Sequence, residues 1–309
     1  MEFSPSNAET TVEQSRSKLT AQDLQDREDF LYLLSIMEKQ GVAGITQPLD
    51  YEDALTYKNR VDAFRKRETL EGSVVTIFND VIFDFDGVLY DSTYSVYRAV
   101  ELTLERKGGR NIPQPSTVEE IANSYQAPFQ NYYKRFGISL KTPEEIASFR
   151  DTYREVQARV NSEHHTPSTF YPEVKTVLDK LKEAKKENPK LKIHIISAGS
   201  DKQVKTHLVE AGILDDFDEI HTEYNDKTAM IKSIVDKNEE ADKVVMVGDL
   251  PSDIKDAQKI EGVKTIAVAR GDTERQRLGM YLPDYIVADL EGILSLKSYS
   301  KELREKSTE

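Results

Sequence analysis

The chain has 309 residues, a formal net charge of −13 at pH 7 and no cysteine. Its length predicts two or three domains rather than a single core. The acidic balance, with no run rich in lysine and arginine, argues against a nucleic-acid binder held by phosphate contacts. The absence of cysteine excludes disulfides, thiolate metal sites and a cysteine nucleophile.

Neither a membrane span nor a signal peptide is indicated by the distribution of apolar residues. No apolar run approaches the roughly 20 residues that cross a bilayer. The N-terminal sequence MEFSPSNAETTVEQSRSK has neither a basic start nor an apolar stretch. We therefore expect a cytoplasmic protein without a membrane partner.

The first quarter of the chain combines a polar tail with two amphipathic helical patterns. The tail covers residues 1–18, and the helical patterns are LTAQDLQDREDFLYLLSIMEKQG and YEDALTYKNRVDAFRKRE. We predict an N-terminal tail and helical extension over residues 1–76. Because these helices carry no catalytic constellation, they either dock on the main domain or form an oligomer or partner contact through residues 20–70.

From residue 80 onward, short apolar runs alternate with amphipathic helical patterns. This alternation predicts an α/β fold with a Rossmann-like parallel sheet and helices on both faces. The predicted strands are VIFD (81–84), KIHIIS (192–197), VVMVGD (244–249), KTIAV (264–268) and DYIV (284–287).

About 110 residues separate the first two of these strands, far more than an ordinary crossover needs. The intervening sequence reads as helical throughout. We therefore predict an all-helical domain over residues 92–165, inserted just after the first strand. The core would comprise residues 77–91 and 166–299, and residues 300–309 would form a C-terminal tail.

Polar residues follow the predicted strands at the edge where ligands bind in parallel sheets. The polar residues are Asp84 and Asp86 after the first strand, Ser197 after the second, Lys227 at the start of a helix, and Asp249 and Asp253 after the third strand. Ala198 and Gly199 follow Ser197 in the same loop. Several carboxylates together favour a hard cation, above all Mg²⁺. A carboxylate can attack phosphorus, a second can act as general acid and base, and a hydroxyl and an ammonium can stabilise phosphoryl oxygens.

The stretches DFDGVLYDS, IISAGS and GDLPSD, together with Lys227, resemble the four motifs of the haloacid dehalogenase superfamily in chain order. The phosphoglycolate phosphatase and beta-phosphoglucomutase subgroup, which has a helical cap after the first motif, is the most similar. The resemblance implies that Asp84 is the nucleophile and a metal ligand, and that Asp86 is the general acid/base with its backbone carbonyl on the metal. It further implies that Ser197, Ala198, Gly199 and Lys227 bind phosphate, and that Asp249 and Asp253 complete the Mg²⁺ site.

By this resemblance the protein is a Mg²⁺-dependent phosphatase that hydrolyses a small phosphorylated metabolite, similar to phosphoglycolate or a sugar phosphate, through an aspartyl-phosphate. Phosphoglucomutases of the subgroup carry a cap histidine twelve residues after the nucleophile, where this chain has Val96. Hydrolysis is therefore favoured. A phosphomutase, or a binding protein that acts through its N-terminal helices, remains the alternative.

Two assignments stay open at this point. Lys227 is followed by Thr228, where the subgroup usually has proline, so Lys232 is a rival for the phosphate-binding lysine. Asp91 and Ser92 either cap the first helix of the insert or take part in the chemistry. His194, within a strand, is predicted to be a buried histidine with a hydrogen-bond partner.

Overall fold

The computed structural model describes residues 59–109, 133–134, 136–163, 169–224, 226–238 and 240–305. Asn59–Glu309 form one compact unit. The predicted tail and most of the helical extension lie outside the described residues. Of the extension, residues 59–65 are helical, and Phe64 is buried against the ring of Tyr299, with 6.0 Å between the ring centroids.

The described residues form eight strands in two sheets. In chain order the strands are β1 Asp80–Phe83, β2 Tyr90–Asp91, β3 Thr169–Phe170, β4 Lys192–Ile196, β5 Glu219–His221, β6 Val244–Gly248, β7 Lys264–Val268 and β8 Tyr285–Val287. The main sheet is parallel, with strand order β5-β4-β1-β6-β7-β8, and β2 pairs with β3 in an antiparallel ribbon. The predicted parallel α/β fold is confirmed.

The topology places the end of β1 at the centre of the sheet. Phe83, the last residue of β1, pairs with Ile195 on one side and with Val247 on the other. From β1 the chain proceeds outward through β4 to β5, then returns past β1 to β6. Such a reversal opens a crevice at the carboxyl ends of the strands, where ligands bind in α/β proteins.

Helices cover the sheet and form the insert. They are α1 Val74–Ile77, α2 Thr93–Arg106, α3 Pro143–Glu163, α4 Val174–Glu187, α5 Asp201–Glu210, α6 Thr228–Asn238, α7 Pro251–Gln258, α8 Asp272–Gly279 and α9 Tyr299–Glu305, with 3₁₀ turns at Leu214–Asp216, Ala241–Lys243 and Leu290–Ser295. In α4 the buried residues Val174, Val177, Leu178 and Leu181 recur at helical spacing and pack into the main core. All four residues of β1 are buried, as expected for a strand covered on both faces.

The described part of the insert is helical and has its own apolar contacts. Helices α2 and α3 pack together through a cluster that includes Val100, Leu104 and Phe149. Arg154 of α3 forms an ion pair of 3.0 Å with Glu223 of the core. The ribbon of β2 and β3 lies where the chain leaves and re-enters the core. The limits of a separate cap domain at residues 92–165 stay a prediction.

The structure contains three features that the sequence pattern did not indicate. Strand β5 has three half-buried residues with the polar sequence EIH at the edge of the sheet, and so lacks an apolar run. The strands of the β2–β3 ribbon have two residues each, which is too short for a periodic signal. Helix α9 lies in the predicted C-terminal tail, where the buried Ser300 donates a hydrogen bond to the Arg67 carbonyl. Among the described helices, none has the length and apolar character needed to cross a membrane.

Replacing a leucine that packs under the sheet should destabilise the protein far more than replacing an exposed one. Leu178 is fully buried, whereas Leu70 is 64% exposed. We expect Leu178→Ala to lower the free energy of unfolding by about 2–5 kcal/mol, through lost burial and a residual cavity. The same change at Leu70 should stay within about 0.5 kcal/mol. Urea denaturation measures both, and equal effects would contradict the assigned core.

Candidate active site

A buried lysine joins two carboxylates at the carboxyl edge of the sheet. Nζ of Lys227 lies 2.8 Å from Oδ1 of Asp84 and 2.8 Å from Oδ1 of Asp253. All three side chains are less than a tenth exposed. Oδ1 of Asp84 also accepts a hydrogen bond of 2.7 Å from the Phe85 N–H. Two donors thus fix the orientation of the Asp84 carboxylate.

Lys227, rather than Lys232, is the lysine at this site. Lys232 lies on the exposed surface of α6, where its ammonium contacts Asp236 at 2.9 Å. Lys227 therefore lies among the clustered carboxylates and Lys232 does not, while the phosphate-binding role of Lys227 stays a prediction.

The loop after β4 approaches Asp86 through its glycine. The buried Ser197 hydroxyl accepts a hydrogen bond of 2.9 Å from the Gly199 N–H. A β-carbon added to Gly199 would lie 3.1 Å from the Ser197 Oγ and 3.5 Å from the Asp86 Oδ2. Ser197 and Asp86 are therefore brought together, with Ala198 exposed at the tip of the loop. Backbone N–H groups of Tyr224 and Glu223 bond the carbonyls of Ser197 and Gly199 and hold the loop in place.

Two glycines allow the acidic loops to come close together. Gly87 has a φ of +78°, a left-handed conformation that favours glycine. A β-carbon at Gly87 would overlap the carboxylate of Asp249, and one at Gly248 would overlap the side chain of Asp253. Substitution at either position would push the carboxylates apart.

Burial perturbs the ionisation of the clustered carboxyl groups. It raises the pKa of Asp84 to about 7, with Asp253 adding to the rise and Lys227 opposing it. Burial, together with the charges of Asp84 and Asp253, raises the pKa of Asp249 well above its usual value. Burial also raises the pKa of Asp86, although a hydrogen bond with Ser92 and the charge of Lys227 act against it. For Lys227 burial alone would lower the pKa, but Asp253 and Asp84 outweigh it and raise the pKa.

The carboxylates fit a divalent cation. One oxygen from each of Asp84, Asp249 and Asp253 lies within 4.8 Å of the others. Oδ1 of Asp249 is buried and has no hydrogen-bond partner among the described residues. An ionised carboxylate oxygen in that position needs a positive partner. Oxygen-only ligand sets of this kind suit Mg²⁺.

Three further residues contact the site, and two of them, Asp256 and Arg277, had no distinctive signal in the sequence. The Ser92 side chain makes no hydrogen bond that caps α2 and instead bonds Asp86. Asp256 accepts a hydrogen bond from the Lys227 N–H, and Arg277 donates to the Asp249 carbonyl at 3.4 Å. The partners of Asp256 and Arg277 are 29 and 28 residues away in the sequence, so local patterns could not identify these two residues. His194 is buried and bonds Asp80 through Nε2 at 2.8 Å, away from this set of contacts.

Mg²⁺ should raise the thermal midpoint of the protein, because a cation that binds only the folded state stabilises that state. The rise should be larger at about pH 8 than at about pH 6. The carboxyls of Asp84 and Asp249, whose pKa values are raised, must lose their protons to bind metal. As pH falls below their pKa values, protons compete and the Mg²⁺-dependent stabilisation is lost. Thermal unfolding with Mg²⁺ and with chelator measures the effect.

Asp249→Asn should remove most of the Mg²⁺-dependent rise. Asp236→Asn is the matched control, because Asp236 is exposed on α6 and pairs with Lys232. An unchanged Mg²⁺ response in Asp249→Asn would contradict the assignment of the cation to this carboxylate cluster.

Comparisons with known proteins agree with this geometry. The family model described as haloacid dehalogenase-like hydrolase matches residues 81–268. No curated protein matches the chain significantly. Among solved structures, a haloacid dehalogenase-like family hydrolase from Streptococcus pneumoniae is 20% identical with a TM-score of 0.53, over 68% of this chain and 94% of that chain.

Two further solved structures are similar. One is described as a predicted phosphoglycolate phosphatase from Haemophilus somnus, 20% identical with a TM-score of 0.53, over 70% of this chain and 96% of that chain. The other is a beta-phosphoglucomutase from Clostridium difficile, 19% identical with a TM-score of 0.50, over 75% and 95%. At these identities the likeness shows a shared fold. Since the family model spans more than half of the sequence, including both strands that supply the acidic loops, the chain belongs to the haloacid dehalogenase-like hydrolase family.

Proposed function

We propose that the protein is a Mg²⁺-dependent phosphatase of a small phosphomonoester, acting through an aspartyl-phosphate on Asp84. The observation that carries the proposal is the position of the Asp84 carboxylate, which accepts hydrogen bonds from the Phe85 N–H and from Lys227. Asp249 and Asp253 lie close enough to Asp84 to share a metal ion with it. The family match and the phosphatase named among the similar structures support it. A cytoplasmic location, compatible with a chain that lacks cysteine, is part of the proposal.

In the first half-reaction, a carboxylate oxygen of Asp84 forms a bond to phosphorus while the bond from phosphorus to the leaving alcohol oxygen breaks. Asp86 donates its proton to that alcohol oxygen. The raised pKa of Asp86 favours the protonated carboxyl that this step needs. The alcohol leaves and the phosphoryl group stays on Asp84.

In the second half-reaction, water attacks phosphorus and the bond from phosphorus to the Asp84 oxygen breaks. Asp86, now ionised, accepts a proton from the attacking water. Inorganic phosphate is released, and Asp84 and Asp86 return to their starting states. Asp86 follows Asp84 by two residues, so the same acid/base group can serve both half-reactions.

The phosphoryl oxygens would be bound by Ser197, by the backbone of Ala198 and Gly199, and by Lys227. Asp84, Asp249, Asp253 and the backbone carbonyl of Asp86 would hold Mg²⁺. When bound, the cation neutralises charge on the carboxylates and the phosphoryl group. Arg277, by donating to the carbonyl of Asp249, helps to hold that loop.

The insert favours a small substrate and hydrolysis over internal transfer. The Arg154–Glu223 ion pair connects α3 to the segment that holds the phosphate-binding loop, so the insert lies beside the site. We assign it the role of a cap that limits substrate size and water access. Val96 packs against the apolar cluster of the insert and offers no second acid/base group. This supports the phosphatase over a phosphomutase.

The test is phosphate release from a panel of small phosphomonoesters with Mg²⁺ and with chelator. Release should require Mg²⁺ and should fall to background in Asp84→Asn, which lacks the nucleophilic carboxylate. Asp86→Asn should lower kcat by about 10²–10⁴-fold, because the leaving alcohol loses its proton donor. Lys227→Met should lower kcat/KM, while Lys232→Met, the same change on the exposed face of α6, should leave it unchanged.

Full hydrolytic activity in Asp84→Asn would refute the aspartyl-phosphate route. Transfer of labelled phosphate between positions of one sugar, in excess over free phosphate, would instead support a phosphomutase. Absence of any phosphoester turnover in the Mg²⁺-loaded protein would favour the binding-protein alternative.

A further inference from the structure

Asp256 contacts the backbone of the lysine at the centre of the site. It lies on α7, one helical turn after Asp253, and is less than a tenth exposed. Its Oδ2 accepts a hydrogen bond of 2.9 Å from the Lys227 N–H, and its Oδ1 contacts the Lys259 ammonium at 2.7 Å. Both oxygens of this carboxylate are therefore occupied, and neither is aimed at the substrate site.

One turn of α7 thus holds both ends of Lys227. Asp253 contacts the ammonium at 2.8 Å, and Asp256 contacts the backbone N–H. Residues three apart on a helix lie on the same face. The two contacts together fix the position of the Lys227 backbone and the direction in which its side chain extends toward Asp84.

The sequence around Lys227 provides little other restraint. Lys227 immediately precedes α6, where the first N–H groups of a helix lack intrahelical partners. The next residue is Thr228, which has no ring to restrict Lys227 to extended conformations as a following proline would. A hydrogen bond to the Lys227 N–H supplies the restraint and also satisfies a buried donor.

Lys259 orients the Asp256 carboxylate. It follows Asp256 by three residues, and its ammonium also contacts Thr228 Oγ1 at 3.2 Å and Asp226 at 3.8 Å. Because the ammonium occupies Oδ1, Oδ2 remains directed at the Lys227 N–H. The Lys259 side chain is about half exposed, so the Asp256–Lys259 ion pair lies at the protein surface.

We propose that Asp256, oriented by Lys259, is a positioning residue that sets the reach of the Lys227 ammonium toward Asp84 and the phosphoryl group. The inference rests on the proposed function, in which Lys227 binds that group. Asp256 touches neither substrate nor the reacting atoms and acts only through Lys227.

The test compares two double variants, Asp256→Asn/Lys259→Met and Asp256→Ala/Lys259→Met. Both lack the ion pair with residue 259. Asparagine keeps an oxygen that can accept a hydrogen bond from the Lys227 N–H, whereas alanine does not. The Lys259→Met background avoids placing an asparagine NH₂ group against an ammonium.

We expect the alanine variant to lose about 10²-fold in kcat/KM through misplacement of the Lys227 ammonium. It should also bind inorganic phosphate more weakly in the presence of Mg²⁺. The asparagine variant should retain most of both. A merely structural role would lower the thermal midpoint without this split between the variants. Equal phosphate affinity and equal kcat/KM in both would overturn the inference.

Hydrogen exchange at the Lys227 amide separates this inference from the proposed function. If the wild type neither releases nor binds phosphate, the proposed function fails. The positioning role is then tested by hydrogen exchange at the Lys227 amide alone. This amide should lose its protection from exchange in the alanine variant and keep it in the asparagine variant. Retained protection in the alanine variant would overturn the role of Asp256.

Discussion

Three carboxylates that lie within 4.8 Å of one another, largely removed from water, repel each other, and the site depends on how that repulsion is compensated. An unpaired buried charge is among the costliest features that a fold can contain. Lys227 compensates two of the carboxylates directly, through contacts of 2.8 Å to Asp84 and to Asp253. The third, Asp249, keeps an oxygen without a partner among the described residues, which leaves a place for a cation.

The parallel sheet makes this concentration of charge possible. Because β1 lies between β4 and β6, the residues that follow these strands meet at one edge. Gly87 and Gly248 then allow the acidic loops to approach closer than any residue with a β-carbon would permit. The apolar strands hold the carboxylates in place, and burial raises the pKa values of Asp84, Asp86 and Asp249. The negative charges of neighbouring carboxylates raise the pKa values of Asp84 and Asp249 further.

Most of this arrangement could be predicted from the sequence, since the evidence was local. Apolar runs mark the long strands, and Asp84, Ser197 and Asp249 follow them directly. The rest depends on contacts between distant residues. Strand β5 lacks an apolar run, and the contact of Asp256 with Lys227 joins positions that are 29 residues apart. The local sequence is compatible with a capping or a chemical role for Ser92, and only the folded structure shows that its side chain hydrogen-bonds to Asp86 rather than capping α2. The choice of Lys227 over Lys232 likewise required the three-dimensional position of each ammonium.

In the proposed mechanism, the Asp84 carboxylate carries the phosphoryl group during turnover. This step is tested most directly by acid quenching of the Mg²⁺-loaded protein during turnover of its best phosphomonoester, followed by mass spectrometry of the peptides. We expect a phosphoryl group on the peptide that contains Asp84, located on that aspartate and absent when turnover is blocked by chelation of Mg²⁺. A phosphoryl group on another residue, or rapid turnover with none on Asp84 at any quench time, would contradict it.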